Sequence, residues 1–316
     1  MRIRIALAVL LLAAVARADF REFKQVPVDP SIETKVRNAA EQTLKQFPKL
    51  TPENFAISVV DLTKPSTLAR GDYHGSIAFY PASVVKLFFM VETFHQQKEN
   101  VPDVPRALKE MIGVSDNDAT AFILDVISDT SSGPELQGRA LEHFIYKRGV
   151  VNRYFNGMGY DISAMAKPWS FGPFGRDVQV DGPNRPTRER RNRVAANDVA
   201  AVMLWIARGR AVSPAASDAM MALLQRPLDP QRKDENQVKE YVGAALPAGS
   251  KLWSKAGDTS EVRHDAAYVE LPDGKKMVIV ILTRGAADDV TLLPAAAKNL
   301  LAELAAMPAP PPPPAP

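Results

Sequence analysis

Phe79-Tyr80-Pro81-Ala82-Ser83-Val84-Val85-Lys86-Leu87-Phe88-Phe89-Met90 reads as the opening of an apolar helix that carries a serine and, three residues later, a lysine. Pro81 suits a first helical position, where φ near −65° is wanted and no backbone N–H is needed. Residues three apart share a helical face, so Ser83 and Lys86 point at one spot. The other side chains are apolar nearly all round, which places the helix inside a protein. A buried ammonium is costly, and beside a hydroxyl it loses its proton readily and becomes a general base for it. Read locally, however, Ser83 is a helix cap and Lys86 snorkels to solvent. S-x-x-K arises about once by chance in a chain of this length, so the motif needs partners elsewhere.

Two further stretches stand in order behind it. Ser115-Asp116-Asn117 lies between the helical patterns Ala107–Val114 and Ala119–Ile127. By itself it is a good helix N-cap. Lys255-Ala256-Gly257 ends a strand that follows Trp253-Ser254. By itself it is a strand-ending lysine and a turn glycine.

The rest of the chain sets the frame. Arg2 and Arg4, the apolar run Ile5–Val15 and Ala16-Arg17-Ala18 have the pattern of a signal peptide over residues 1–18, with cleavage after Ala18. The expected location is therefore periplasmic or secreted, with no integral membrane segment once the signal is removed. Met307–Pro316 is rich in proline, and residues 308–316 form a tail without a core of its own. A net charge of +3, with 46% hydrophobic and 24% charged residues, gives no argument for nucleic acid. The absence of cysteine removes thiol catalysis and disulfides, and the four histidines (His74, His95, His143, His264) contain no ligand pair for a metal. No metal or cofactor is expected, and the sequence leaves the oligomeric state open.

Strand patterns fall at Phe55–Leu62 and Thr67–Tyr73, then at Lys251–Lys255, Val262–Leu271 and Lys276–Thr283, the last two joined by Pro272-Asp273-Gly274. Helices are expected at Ser31–Phe47, Gly133–Lys147, Asn197–Arg208 (capped by Asn197), Ser213–Leu224 and Leu292–Ala306. Asn152–Arg193 reads as one long irregular segment. Its arginines, Arg185, Arg188, Arg190, Arg191 and Arg193, read as a solvated loop, with weak attraction to anionic polymers as the alternative. The expected fold class is α+β: a five-stranded antiparallel sheet built from both ends of the chain, in a three-layer α/β/α lobe, beside an all-helical lobe. The catalytic domain would span 19–307, with the sheet lobe from 19–75 and 248–307 and the helical lobe from 76–247. The cleft between them is the natural site.

S-V-V-K, S-D-N and K-A-G, in that order and in those contexts, resemble the motif set of the penicillin-recognising serine enzymes. Met111–Asp125 (MIGVSDNDATAFILD) and Lys255–Thr283 are similar to the class A β-lactamases in particular. The resemblance implies the β-lactamase/transpeptidase-like fold and acyl transfer on Ser83. It implies that Lys86 is the base, that Ser115 relays a proton to the leaving nitrogen, and that Lys255 supplies positive charge. Asn117 would hold the substrate amide, Gly257 would belong to the substrate-binding site, and the N–H groups of Ser83 and Asp258 would form the oxyanion hole. The substrate would be a β-lactam or a related peptidoglycan-type peptide, with peptidase or esterase activity, or penicillin binding without turnover, as alternatives.

The sequence also departs from that family. S-x-x-K and S-D-N stand about half as far apart as in class A enzymes, which implies a more open cleft. The omega-loop E-x-x-L-N is missing, and with it the glutamate that activates the deacylating water. Asp161 is the nearest candidate base, followed by Asp177, Asp181 and Glu189. Ala256 replaces the hydroxyl residue of K-[T/S]-G, so carboxylate affinity would fall to Arg263 or His264.

Overall fold

The computed structural model describes residues 20–167, 174–180, 191–229 and 237–305. The signal-like segment 1–18, the tail 308–316, Asp181, Glu189, Arg185, Arg188 and Arg190 lie outside them. The chain runs α1 (Phe20–Gln25), α2 (Pro30–Gln46), β1 (Phe55–Asp61), β2 (Ala69–Tyr73) and β3 (Ala78–Phe79), then α3 (Lys86–His95), α4 (Val104–Gly113) and α5 (Asn117–Ser128). It continues with α6 (Gly138–Arg148), α7 (Val150–Gly157), β4 (Val194–Ala195), α8 (Ala196–Ala207), α9 (Pro214–Leu224) and β5 (Gln225–Arg226). It closes with β6 (Lys251–Asp258), β7 (Val262–Glu270), β8 (Lys276–Arg284) and α10 (Leu292–Ala305).

The two ends of the chain meet in one antiparallel sheet of order β2-β1-β8-β7-β6-β5. Strictly alternating side chains give the sheet two apolar faces. Ile57, Val59, Ala267, Val269, Ile279 and Ile281 pack with Ile32, Val36, Leu293 and Leu300 of α2 and α10. Ala56, Val60, Ala266, Val278 and Val280 face the other way, against Val199, Met203 and Trp205 of α8 and the apolar turns of α3. This is the expected α/β/α layering. The sheet has a sixth strand, β5, which is two residues long and leaves no mark on the periodicity. A separate two-stranded ladder pairs Ala78 with Ala195 and Phe79 with Val194.

Four local expectations change. The serine-bearing turn is 3-10 over Ala82–Val85, and the α-helix begins only at Lys86. The helix expected from Gly133 begins at Gly138, because the Gln179 amide pins the Leu136 backbone by accepting from its N–H (2.8 Å) and donating to its C=O (2.9 Å). Val150–Gly157, which takes in the first residues of the stretch read as irregular, is helical and buries Val151 and Phe155. Asn197 does not cap α8: Ala195 occupies that position, with its N–H on Asp198, while Asn197 accepts from Ser58 Oγ (2.7 Å) and donates to Asp72 (3.3 Å).

The segment between α7 and β4 is closed at its neck. Ser163 and Arg193 exchange both backbone hydrogen bonds, at 2.9 and 2.8 Å. Inside it a buried ion network ties the segment to the helices: Arg148 bonds Asp125 (2.7 Å) and Asp177 (2.8 Å), and Lys167 bonds Asp125 (2.7 Å). Among the described residues no helix is long and apolar enough to cross a membrane.

Candidate active site

Three backbone elements converge on Ser83. The turn before it is strained, with Ala82 at φ 45°, a left-handed value that a non-glycine residue adopts only when its surroundings impose it. Those surroundings are β3, paired with β4, and β7, whose His264 donates from Nε2 to the C=O of Tyr80 at 2.8 Å. Behind the turn runs β6. A methyl group placed on Gly257 would lie 2.7 Å from the backbone N of Ser83, 2.8 Å from that of Val84 and 3.1 Å from Pro81 O. Only glycine lets the strand come this close. That contact sets the peptide of Gly257 and Asp258 against the serine's own N–H.

Lys86 is fully buried. Its Nζ donates to Asn117 Oδ1 (2.8 Å), to the C=O of Ser115 (2.6 Å) and to Ser115 Oγ (3.1 Å). Burial pushes its pKa down to about 7, against the opposing pull of Asp116 and Asp258. Asp116 caps α5 by accepting from the N–H of Ala119 at 2.6 Å, and Ser115 sits in the left-handed region at φ 62°. The local reading of S-D-N as a helix cap is therefore correct for Asp116. Its neighbours on either side are free to face Lys86.

Lys255, also fully buried, comes to the same hydroxyl from the opposite wall. Its Nζ donates to Ser115 Oγ at 3.0 Å, to its neighbour's carbonyl, Ala256 O, at 2.6 Å and to Gln237 Oε1 at 2.8 Å. Its pKa is lowered first by burial and then by Lys86 and Arg226. Two cations on one hydroxyl titrate as a pair. The four predicted catalytic residues thus come from three stretches of chain, and two of them, Lys86 and Lys255, meet at a third, Ser115.

The remaining candidates divide. Asn117 and Gly257 stand in the site as described. Asp258 has its carboxylate drawn aside by Tyr241 Oη (2.8 Å), which leaves its backbone for the cleft. Arg263 is corrected: it is buried under Tyr241, with Nε on Ala287 O (2.9 Å) and Nη1 on Glu240 (3.0 Å). His264 is corrected too. Its Nδ1 accepts from Thr283 N–H (3.1 Å), so Nε2 carries the proton given to Tyr80 O. Both nitrogens are used inside the fold, and burial lowers its pKa to about 4.

Asp161 is likewise corrected as a base. Its side chain is 84% exposed and paired with Arg193 at 2.8 Å, which holds its pKa below the usual carboxylate value. A general base needs the opposite shift. Asp177 is bound to Arg148 in the buried network. Arg191 lies over the ring of Tyr80, so it belongs to the loop rather than to a surface patch.

Two site residues had no signal in the sequence. Arg226 donates to Ser254 O on β6 and to Ile112 O (2.7 Å) and Gly113 O (3.0 Å) at the end of α4. Gln237 spans the same gap, from Lys255 to Gly113 O (2.7 Å). Both lie outside any periodic pattern.

The fold has close counterparts among solved structures. A point mutant of PBP-A, in an acyl-enzyme complex with penicillin G, shares 18% identity over 89% of this chain and 99% of its own, with a TM-score of 0.62. A β-lactamase from Sphaerobacter thermophilus DSM 20745 shares 18% over 86% and 95%, at 0.60. A representative class A β-lactamase from Bacteroides cellulosilyticus DSM 14838 shares 15% over 87% and 99%, at 0.57. At such identities the likeness is one of fold. A search of curated protein sequences finds no match. The sequence profile of the Beta-lactamase enzyme family (Beta-lactamase2), by contrast, matches residues 102–307, well over half of the chain. Because that span holds S-D-N and K-A-G on the two walls around Ser115, the chain belongs to the β-lactamase enzyme family.

Proposed function

We propose that this protein is a secreted or periplasmic serine hydrolase, acylated at Ser83 by β-lactams or related amides and slow to release the acyl group. The observation that carries this reading is the buried pair Lys86 and Lys255 on Ser115 Oγ, with Lys86 one turn on from Ser83. Lys86, with its proton affinity lowered, takes the Ser83 hydroxyl proton as Oγ attacks the carbonyl carbon. The N–H groups of Ser83 and Asp258 receive the oxyanion. As the C–N bond breaks, Ser115 gives its proton to the leaving nitrogen and is reprotonated by the lysine pair. The ester that remains needs a water and a base for its cleavage. Among the described residues neither Asp161 nor Asp177 fits that role.

A second reading, penicillin binding without turnover, is favoured by the same lack of a base. Intact-protein mass spectrometry after exposure to benzylpenicillin separates the two. A persistent adduct on the wild type that is absent from Ser83→Ala supports slow release. Drug consumption with free enzyme indicates turnover. No adduct and no consumption would sink acylation by β-lactams.

A further inference from the structure

Along β6 the even-numbered residues turn their N–H and C=O groups to the side away from β7. β5 pairs only with Leu252 and Trp253, so the edge from Ser254 onward has side chains in place of a strand. Arg226 Nε and Nη2 donate to Ser254 O at 3.2 and 2.9 Å. Gln237 Oε1 accepts from Ala256 N–H (3.2 Å) and from Lys255 Nζ (2.8 Å), and Gln237 Nε2 donates to Gly113 O (2.7 Å) and Ile112 O (3.2 Å). A carboxamide has two acceptor and two donor positions, and here all four are filled. Its orientation is thereby fixed, because a flip would aim N–H groups at the Lys255 ammonium and the Ala256 N–H.

Gln237 and Arg226 share the two carbonyls that precede the S-D-N loop, so Arg226 alone still joins the walls mechanically. Gln237 differs in one respect: besides Ser115 itself, it supplies the uncharged side-chain acceptor on Lys255. We propose that Gln237 is a positioning residue whose Oε1 holds Lys255 Nζ on Ser115 Oγ, while its Nε2 fixes the Ser115 loop at the matching distance. This rests on the reading of Ser83 as the acylated residue.

The charged groups around Lys255 are Lys86 on α3, Arg226 on β5, Asp258 on β6 and Asp265 on β7, with Asp116 beside Lys86. Removing a neutral acceptor disfavours the ammonium form of Lys255. A less charged Lys255 repels Lys86 less, so Lys86 keeps its proton to higher pH. The acid limb of acylation then moves up.

The test is the rate of Ser83 labelling by a fluorescent penicillin against pH, in wild type, Gln237→Met and Gln237→Glu. The methionine variant should lose about tenfold at the optimum, with its acid limb raised by roughly half a unit or more. The glutamate variant keeps an acceptor on Lys255 but loses the donor to Gly113 O and Ile112 O. It should therefore lose less activity than the methionine variant, an order that a merely structural role would not give. Limbs unmoved in the folded variants overturn the proposal, and so does loss of cooperative melting in both, which would make Gln237 a folding residue. If the wild type takes no penicillin, the acylation reading fails separately. NMR of lysines labelled at 13Cε then decides the matter: the Lys86–Lys255 titration shifts between wild type and variants if Gln237 positions the pair, and stays fixed if it does not.

Discussion

Lys86 and Lys255 meet at a single atom, Ser115 Oγ, with their Nζ atoms 3.1 and 3.0 Å from it. Two full positive charges this close, both out of water, are strongly unfavourable. The pair therefore gives up a proton more easily than either lysine would alone. Burial brings the proton affinity of Lys86 into the neutral range, and Lys86 in turn lowers that of Lys255, so an amine suited to accept a proton arises without any histidine.

The first prediction follows from that state. The folded-state pKa of Lys86 is lowered to about 7, so below it the lysine is protonated and inactive as a base. The acylation rate should climb roughly tenfold per pH unit below that value and level off above it. Stopped-flow labelling between about pH 5 and 9 measures it, and a flat profile would remove Lys86 as the base.

Gly257→Ala tests the close approach of β6. The added methyl meets backbone atoms of Ser83, Val84 and Pro81, which cannot swing aside as the end of a flexible side chain could. The strand has to withdraw from the serine, taking Asp258 N–H with it. Acylation should fall by about 10²–10³, the cost of losing an oxyanion donor, and melting should show a stability loss of about 1–3 kcal/mol from overpacking. Labelling at the wild-type rate would show that β6 has no part in the oxyanion hole.

Asp161→Asn should leave the lifetime of the acyl-enzyme within about twofold of the wild type, since a base would show a far larger loss. The geometry behind this is its exposure and its pairing with Arg193. A much longer-lived adduct in mass spectrometry would restore Asp161 as the group that activates water.

Asp265 gives a prediction on stability. It is fully buried, accepts the Val242 N–H at 3.0 Å through one oxygen, and among the described residues has no partner for the other. Burial raises its pKa to about 7. A carboxyl whose pKa is raised on folding stabilises the fold in its protonated form, and that contribution is lost as pH rises from the unfolded value towards the folded one. Asn does not titrate. Urea denaturation should therefore show Asp265→Asn gaining on wild type between about pH 4 and 7, by on the order of 2–4 kcal/mol. Parallel pH dependences of the two proteins would refute this.

The sheet was legible because Phe55–Asp61, Val262–Glu270 and Lys276–Arg284 alternate or run apolar and end in turn residues. The motif residues Ser83, Lys86, Ser115, Asn117, Lys255 and Gly257 were legible because their order and contexts carry the pattern. Helix α7 was hidden by β-branched and aromatic residues behind Gly149, whose tertiary burial outweighs their weak propensity. Arg263 and His264 were misplaced because a strand residue's neighbours along the chain do not reveal which groups the next strand and the preceding turn offer it. Gln237 and Arg226 left no trace for a related reason. Their partners are main-chain carbonyls, and those have no sequence.

The paired backbone hydrogen bonds between Ser163 and Arg193 separate two problems that the enzyme has to solve. The described residues between them are tied to the helices as well, Asp177 to Arg148 and Lys167 to Asp125. A change of length between such ties alters a loop-closure entropy that grows only logarithmically, about 0.6 kcal/mol for each doubling. The residues proposed to form the acyl-enzyme lie outside that neck: Lys255 on β6, Lys86 on α3, and Ser83 and Ser115 in the turns just before α3 and α5. In the related class A enzymes the residue that breaks the acyl-enzyme lies within the corresponding loop. On the proposed function, acylation and release thus fall to separate parts of the chain, and a carboxylate can be lost or regained in the loop without touching the residues proposed to act around Ser83.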